Sequence, residues 1–124
     1  MEKILLVEDD KHTRDLYRLF LKEAGYQVEI AEDGKTGLSK AIQGGYDLIL
    51  LDIILPEIDG LKFLEEFKKV SPRPKSKVVM LTVLDQDDYL KKAIDLGAAG
   101  YLVKSILSPD EVLAMVKGFL KDKP

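Results

Sequence analysis

Three runs of four consecutive apolar residues punctuate the chain: Ile4-Leu5-Leu6-Val7, Leu48-Ile49-Leu50-Leu51 and Val78-Val79-Met80-Leu81. A strand with one wet face alternates apolar and polar residues. Continuous runs of strand length therefore predict strands buried on both faces, the situation of a parallel sheet covered by helices. With two further strand-like segments, the predicted strands are residues 3–8, 26–31, 46–52, 77–82 and 99–104.

Helical spacing and end signals fill the intervals. The first helix spans about 11–24, with Asp10 as cap, Gly25 as stop and Leu16, Phe20 and Ala24 on its buried face. The second covers about 35–43 and ends at Gly44-Gly45. The third opens at Asp59-Gly60 and puts Leu61, Leu64 and Phe67 on one stripe before Pro72 and Pro74. Asp85 and Asp88 bracket the start of the fourth, and Gly97 stops it. The fifth begins with the capping box Ser108-Pro109-Asp110-Glu111 and buries Val112, Val116 and Phe119. A strand followed by a helix, five times over, predicts an α/β fold. Right-handed crossovers make it a doubly wound five-stranded parallel sheet with helices on both faces.

Composition narrows the function classes. At 124 residues and 46% hydrophobic content, one domain spanning 1–124 is expected. Nineteen basic residues against 22 acidic ones leave a net charge of −3, which argues against direct binding to nucleic acid or an anionic membrane. The absence of cysteine excludes disulfides, zinc-thiolate sites and thiol catalysis. No segment has the length of a signal peptide's apolar core or a membrane span, so a cytoplasmic protein is expected.

In a doubly wound sheet, ligands sit beyond the carboxyl ends of the strands. Those ends carry Glu8 and Asp9 after strand one, Asp52 after strand three, Thr82 after strand four and Lys104 after strand five. Each has a plain alternative: an acidic turn capping a helix, a turn-forming aspartate, a strand threonine, a surface lysine. Their convergence at one edge favours a joint role. Clustered carboxylates repel one another until a hard cation relieves them, and oxygen-only ligands suit Mg²⁺ or Mn²⁺. The lysine and hydroxyl beside them suit an oxyanion such as phosphate. His12 falls on an exposed first helical turn and is expected to have no chemical role. Strand one is followed by Glu8-Asp9-Asp10-Lys11, not by a glycine-rich phosphate loop, which disfavours nucleotide binding.

Four blocks together resemble the receiver domain of two-component response regulators, the phosphoacceptor half of bacterial phosphorelays. They are Lys3-Ile4-Leu5-Leu6-Val7-Glu8-Asp9-Asp10, the segment from Asp47 through Asp52 and Pro56 to Asp59-Gly60, Leu81-Thr82, and Gly97-Ala98-Ala99-Gly100-Tyr101-Leu102-Val103-Lys104. The resemblance implies a chemotaxis-regulator-like fold with strand order 2-1-3-4-5. It makes Asp52 the phosphoacceptor, Glu8 and Asp9 its Mg²⁺ partners, Thr82 the switch hydroxyl, Tyr101 the switch aromatic and Lys104 the phosphate-pairing lysine. It also implies a sensor histidine kinase or histidine phosphotransfer protein as donor, and a downstream protein docked on the face of helix four, strand five and helix five. Such a chain is a signalling phosphoacceptor that catalyses at most its own phosphorylation and dephosphorylation. Ser105 stands where the family has proline, so a trans Lys104–Ser105 peptide is expected. Ile54, Val83 and Leu84 stand around the phosphoryl position, where fast-hydrolysing members hold water with polar side chains at the first and third of these places. An apolar rim there predicts a long-lived phosphoryl group.

Two other functions compete. An aspartate-nucleophile phosphatase of the haloacid dehalogenase type needs a second aspartate two residues after the nucleophile, and that position is Ile54. A phosphorylation-independent binding module of the same fold is the other alternative.

Overall fold

The structure is a computed structural model that describes residues 2–53, 55, 58–71, 76–82, 87–104 and 108–121. Strands and helices alternate as β1 (Lys3–Val7), α1 (Lys11–Glu23), β2 (Gln27–Ala31), α2 (Gly34–Gln43), β3 (Leu48–Asp52), α3 (Gly60–Val70), β4 (Lys77–Thr82), α4 (Asp87–Asp95), β5 (Gly100–Val103) and α5 (Pro109–Lys121). The five strands form one parallel sheet ordered β2-β1-β3-β4-β5. Each predicted strand is recovered to within two residues at either end. β1 and β5 close one residue early, which leaves Glu8 and Lys104 just past the ladder.

Strand residues alternate between faces, so each continuous apolar run feeds two cores at once. Leu5, Val7, Ile49, Leu51, Val78 and Met80 pack with Ala41, Phe63, Leu64, Phe67, Leu90 and Ala93 from α2, α3 and α4. Ile4, Leu6, Leu48, Leu50, Val79, Leu81 and Leu102 pack with Tyr17, Leu21, Val112, Val116 and Leu120 from α1 and α5. Both clusters are built on fully buried β1, β3 and β4 residues, as the unbroken runs require.

The helix faces depart from three expectations. On α1 the buried stripe is Arg14, Tyr17 and Leu21, whereas Leu16 is 47% exposed, Phe20 half-buried and Ala24 exposed. The buried stripe includes an arginine, which a stripe drawn from apolar residues leaves out. On α3 Phe63 is buried with Leu64 and Phe67, and Leu61 sits at the margin. On α5 Leu120 is buried where Phe119 was expected. The Phe119 ring lies half-buried against Gly100, where an added Cβ would approach it to 2.6 Å.

Side-chain caps fix where the helices begin. Asp10, Asp33 and Asp59 accept from the amides of Thr13, Thr36 and Lys62 at 2.9, 2.7 and 2.9 Å, satisfying N–H groups that the first helical turn leaves unpaired. The capping box on α5 closes in both directions: the Ser108 amide donates to Glu111, and the Glu111 amide donates to the Ser108 hydroxyl. Geometry demands glycine at several positions, and two of them bear on helix ends. Gly25 ends α1 with φ of 99°, in the region where side chains are strained. Gly60 lies so close to β3 that a Cβ would fall 2.9 Å from the Asp52 carbonyl oxygen, and its amide donates to Ile53 O at 2.9 Å. That contact ties the start of α3 to the end of β3. Among the described residues, no helix is long and apolar enough to cross a membrane.

Candidate functional site

The carboxyl ends of β1, β3 and β5 meet at one edge of the sheet. The Glu8 amide still donates to Ala31 O at 3.1 Å, so the residue is anchored although the ladder stops at Val7. Its side chain is 1% exposed, and Asp52, the last residue of β3, is 9% exposed. Asp9 is exposed to solvent. One carboxylate oxygen from each of Glu8, Asp9 and Asp52 lies within 4.8 Å of the other two. Consecutive residues of an extended chain point to opposite sides. Glu8 and Asp9 share a site with Asp52 because the backbone bends at Asp9.

Lys104 enters the same cluster from the end of β5. Its ammonium pairs with Glu8 and lies 3.3 Å from the second oxygen of Asp52. Burial raises the Glu8 pKa above the usual carboxylate value, and its hydrogen bond with Asp52 pushes the same way; Lys104 opposes both without cancelling them. Burial alone would depress Lys104, yet Glu8 and Asp52 outweigh it and its pKa is raised, so it stays charged. The described residues thus bring one ammonium to three carboxylates.

Such a donor set fits a hard divalent cation. All three ligands are oxygens, two are held by a sheet edge, and the third is open to water for completing the coordination. Asp10 is not part of it. Its carboxylate accepts from the Thr13 amide and hydroxyl, and these bonds lower its pKa. The acidic triplet therefore divides between helix capping and the site.

Thr82 closes β4 opposite Val103, with its side chain outside what is described. Tyr101 is paired with Met80 on the edge strand, on the face opposite buried Leu102, and is 43% exposed; it is not in the carboxylate cluster. Ile54, Val83, Leu84, Asp85 and Ser105 lie outside the described residues. His12 is exposed, as expected.

Sequence reading missed Arg14. It is 6% exposed and donates through Nη1 to the carbonyls of Glu8 and Asp9 at 3.0 and 3.3 Å. The available signal was its spacing of three and seven from Tyr17 and Leu21, which puts it on a buried stripe directly after the acidic turn.

Comparison with known proteins identifies the family. The model of the response regulator receiver domain matches residues 4–117. The response regulator ArlR of Staphylococcus saprophyticus is 38% identical over 125 residues, covering 100% of this chain and 54% of ArlR. The chain spans about half the length of the curated relatives it matches. Among solved structures, a CheY-like response regulator receiver domain protein from Methanospirillum hungatei superposes with a TM-score of 0.89 at 31% identity, covering 98% of this chain and 95% of that one. The response regulator TrrA of Thermotoga maritima, solved in complex with Mg²⁺ and BeF, gives a TM-score of 0.82 at 35% identity, covering 96% of this chain and 99% of that one. An acidic sheet-edge cluster, a lysine from the last strand and a 2-1-3-4-5 parallel sheet are thus found in a chain that belongs to the receiver domains of two-component response regulators.

Proposed function

We propose that Asp52 is the phosphoacceptor of this receiver domain, that Glu8, Asp9 and Asp52 hold Mg²⁺ (or Mn²⁺), and that Lys104 and Thr82 bind the phosphoryl oxygens. The observation that carries the reading is the convergence of three carboxylate oxygens within 4.8 Å, with the Lys104 ammonium 3.3 Å from Asp52. The similarity to a receiver solved with Mg²⁺ and BeF supports it.

An Asp52 oxygen attacks the phosphorus of the donor as the bond to the leaving group breaks, and the electron pair departs with that group, giving an acyl phosphate. When bound, the cation supplies charge neutralisation to the transferring group. Lys104 is already charged and within reach of Asp52, so it offers a charge-assisted hydrogen bond to a phosphoryl oxygen. Phosphorylation then draws Thr82 toward Asp52 and shifts Tyr101 between two packings, a population shift within one fold. A sensor histidine kinase or histidine phosphotransfer protein donates, and the face of α4, β5 and α5 receives the downstream protein. The domain does this in the cytoplasm without itself binding nucleic acid or membrane, and it turns over no substrate beyond its own phosphoryl group.

Incubation with acetyl phosphate and Mg²⁺ tests the reading by intact mass. One added phosphoryl group, lost in Asp52→Asn, is expected; an unmodified parent overturns it in favour of a phosphorylation-independent module. The same species measures the rim of Ile54, Val83 and Leu84. Slow decay in the parent, accelerated roughly 10- to 100-fold by Ile54→Asn or Leu84→Glu, is expected if those side chains exclude the attacking water, a barrier difference of about 1.4–2.8 kcal/mol. Equal decay in all three proteins removes the rim from the account.

A further inference from the structure

Arg14 is a cation placed inside the protein, one helical turn past the acidic loop. The β1 ladder is finished at Val7, and the first α1 hydrogen bond is Arg14 N to Asp10 O at 2.9 Å. The carbonyls of Glu8 and Asp9 fall between the two patterns, and the Arg14 guanidinium donates to both from one nitrogen. Its other terminal nitrogen reaches Glu32, just after β2, at 3.5 Å, but that glutamate's side chain is 72% exposed. Its Nε is buried and has no hydrogen-bond partner among the described residues. A guanidinium this enclosed, with one distant and solvated acidic partner, is a costly way to satisfy two carbonyls. What it holds, together with the Asp10 amide that donates to Glu8 Oε2 at 3.4 Å, is the path of the backbone between them.

That path brings the Glu8 and Asp9 carboxylates to the same side as Asp52. Glu8 and Asp9 are neighbours in sequence, and their carboxylates reach Asp52 only because the chain bends where Arg14 grips it. We propose that Arg14 is a positioning residue of the acidic site, holding the Glu8–Asp9 bend from beneath and thereby setting the affinity for the divalent cation. The proposal rests on the metal reading above. Arg14 itself touches neither the cation nor the phosphoryl group; it acts through the peptide groups of two ligands, as outer-sphere partners of metal ligands do.

Calorimetric titration of the 124-residue chain with Mg²⁺ tests it, run on the parent, Arg14→Met, Arg14→Lys and Leu21→Ala, with unfolding curves for each. Leu21 is fully buried on the same helix and far from any ligand role, so Leu21→Ala reports what destabilising α1 does by itself. Arg14→Met is expected to weaken Mg²⁺ binding about tenfold, with Arg14→Lys recovering part of the loss and Leu21→Ala keeping the parental affinity. A parent that binds no Mg²⁺ overturns the metal reading and this proposal together. A parent that binds Mg²⁺ while Arg14→Met binds it equally well overturns the proposal alone, and so does an equal loss in Leu21→Ala. Should Arg14→Met not fold, Arg14→Lys decides: an affinity about threefold weaker is expected, and parental affinity overturns the assignment.

Discussion

β1 carries a cluster of one lysine with carboxylates near each end, and the two clusters have opposite characters. At the amino end, the Lys3 ammonium lies 2.9 Å from Glu29 and 5.0 Å from the Tyr46 ring centroid, the Tyr46 hydroxyl donates to the same Glu29 oxygen at 2.8 Å, and Asp47 accepts the Lys3 amide at 2.9 Å. The Lys3 and Glu29 side chains are 31% and 40% exposed. At the carboxyl end, Glu8 and Lys104 are 1% and 12% exposed and Asp52 and Asp9 join them. Bonds from Lys3 and then Tyr46 lower the Glu29 pKa, while burial and then Asp52 raise that of Glu8. A carboxylate matched by donors in water is a structural contact. Among the described residues, Glu8 and Asp52 lie buried around one ammonium, and burial holds Glu8 above its ordinary pKa, the environment proposed above for a divalent cation.

Replacing each lysine is the strongest way to break this contrast. Without divalent cation, Lys104→Met is expected to lose about 2–3 kcal/mol, at or below the low end for breaking a buried pair because Lys104 keeps some solvent contact. Lys3→Met is expected to lose less than about 1 kcal/mol, as exposed pairs do. Millimolar Mg²⁺ should restore much of the first loss and none of the second. Urea unfolding of both variants measures this, and equal losses at the two ends would erase the distinction.

Cation affinity sharpens it next. Asp9→Ala removes one ligand and is expected to weaken Mg²⁺ at least about tenfold, or about 1.4 kcal/mol, whereas Glu29→Gln should leave the titration unchanged. A parental affinity in Asp9→Ala would remove Asp9 from the site. The sign of the carboxylate contribution differs as well. Asp52→Asn relieves repulsion with Glu8 and should stabilise the cation-free protein by about 1 kcal/mol while abolishing phosphorylation, the usual trade between stability and function. Thermal unfolding checks it, and a destabilised Asp52→Asn would show that Lys104 already balances the cluster.

The two clusters were not equally legible. Glu8, Asp52 and Lys104 could be found in the sequence because a parallel sheet delivers all its strand ends to one edge, whichever residues occupy them. Three of the five strands could be located from unbroken apolar runs of strand length bounded by turn signals, a pattern that needs those bounds because the run 112–116 is also unbroken and is helical. The 2-1-3-4-5 order came from family resemblance, since periodicity carries no information about neighbours. The amino-end cluster was invisible: Glu29 and Tyr46 meet through the register of β2, β1 and β3, not through spacing along the chain. Arg14 was missed for a related reason. A stripe drawn from apolar residues alone ran through Leu16 and Phe20, and a buried arginine enters a stripe only when its partners, here two carbonyls of a bent loop, are known.

The smallest expected effect tests how the amino-end cluster titrates. Burial, with the Glu29 hydrogen bond adding to it, pushes the Tyr46 pKa from 10.0 up to about 12. A raised pKa means that the folded state prefers the neutral phenol more than the unfolded chain does. The contribution is therefore complete below pH 10 and is lost as pH rises through about 12. Glu29 runs the other way: its pKa is lowered, so its contribution is present above the ordinary value of 4.5 and fades as pH falls. Tyr46→Phe keeps the ring in its core and deletes one hydrogen bond to a half-exposed carboxylate, so at neutral pH it should cost just under about 1 kcal/mol. Tyr17 and Tyr26 are also raised by burial, so the useful quantity is the stability gap between parent and Tyr46→Phe. That gap should stay constant from pH 7 to 10 and then close and reverse between 10 and 12, where Tyr46 ionises in the unfolded chain while the folded protein still holds it neutral. Urea unfolding across this range, with tyrosinate absorbance as the parallel readout, gives both curves. A gap that persists to pH 12 would mean that Tyr46 ionises no differently in the folded protein than in the unfolded chain, and that Glu29 is matched by Lys3 alone.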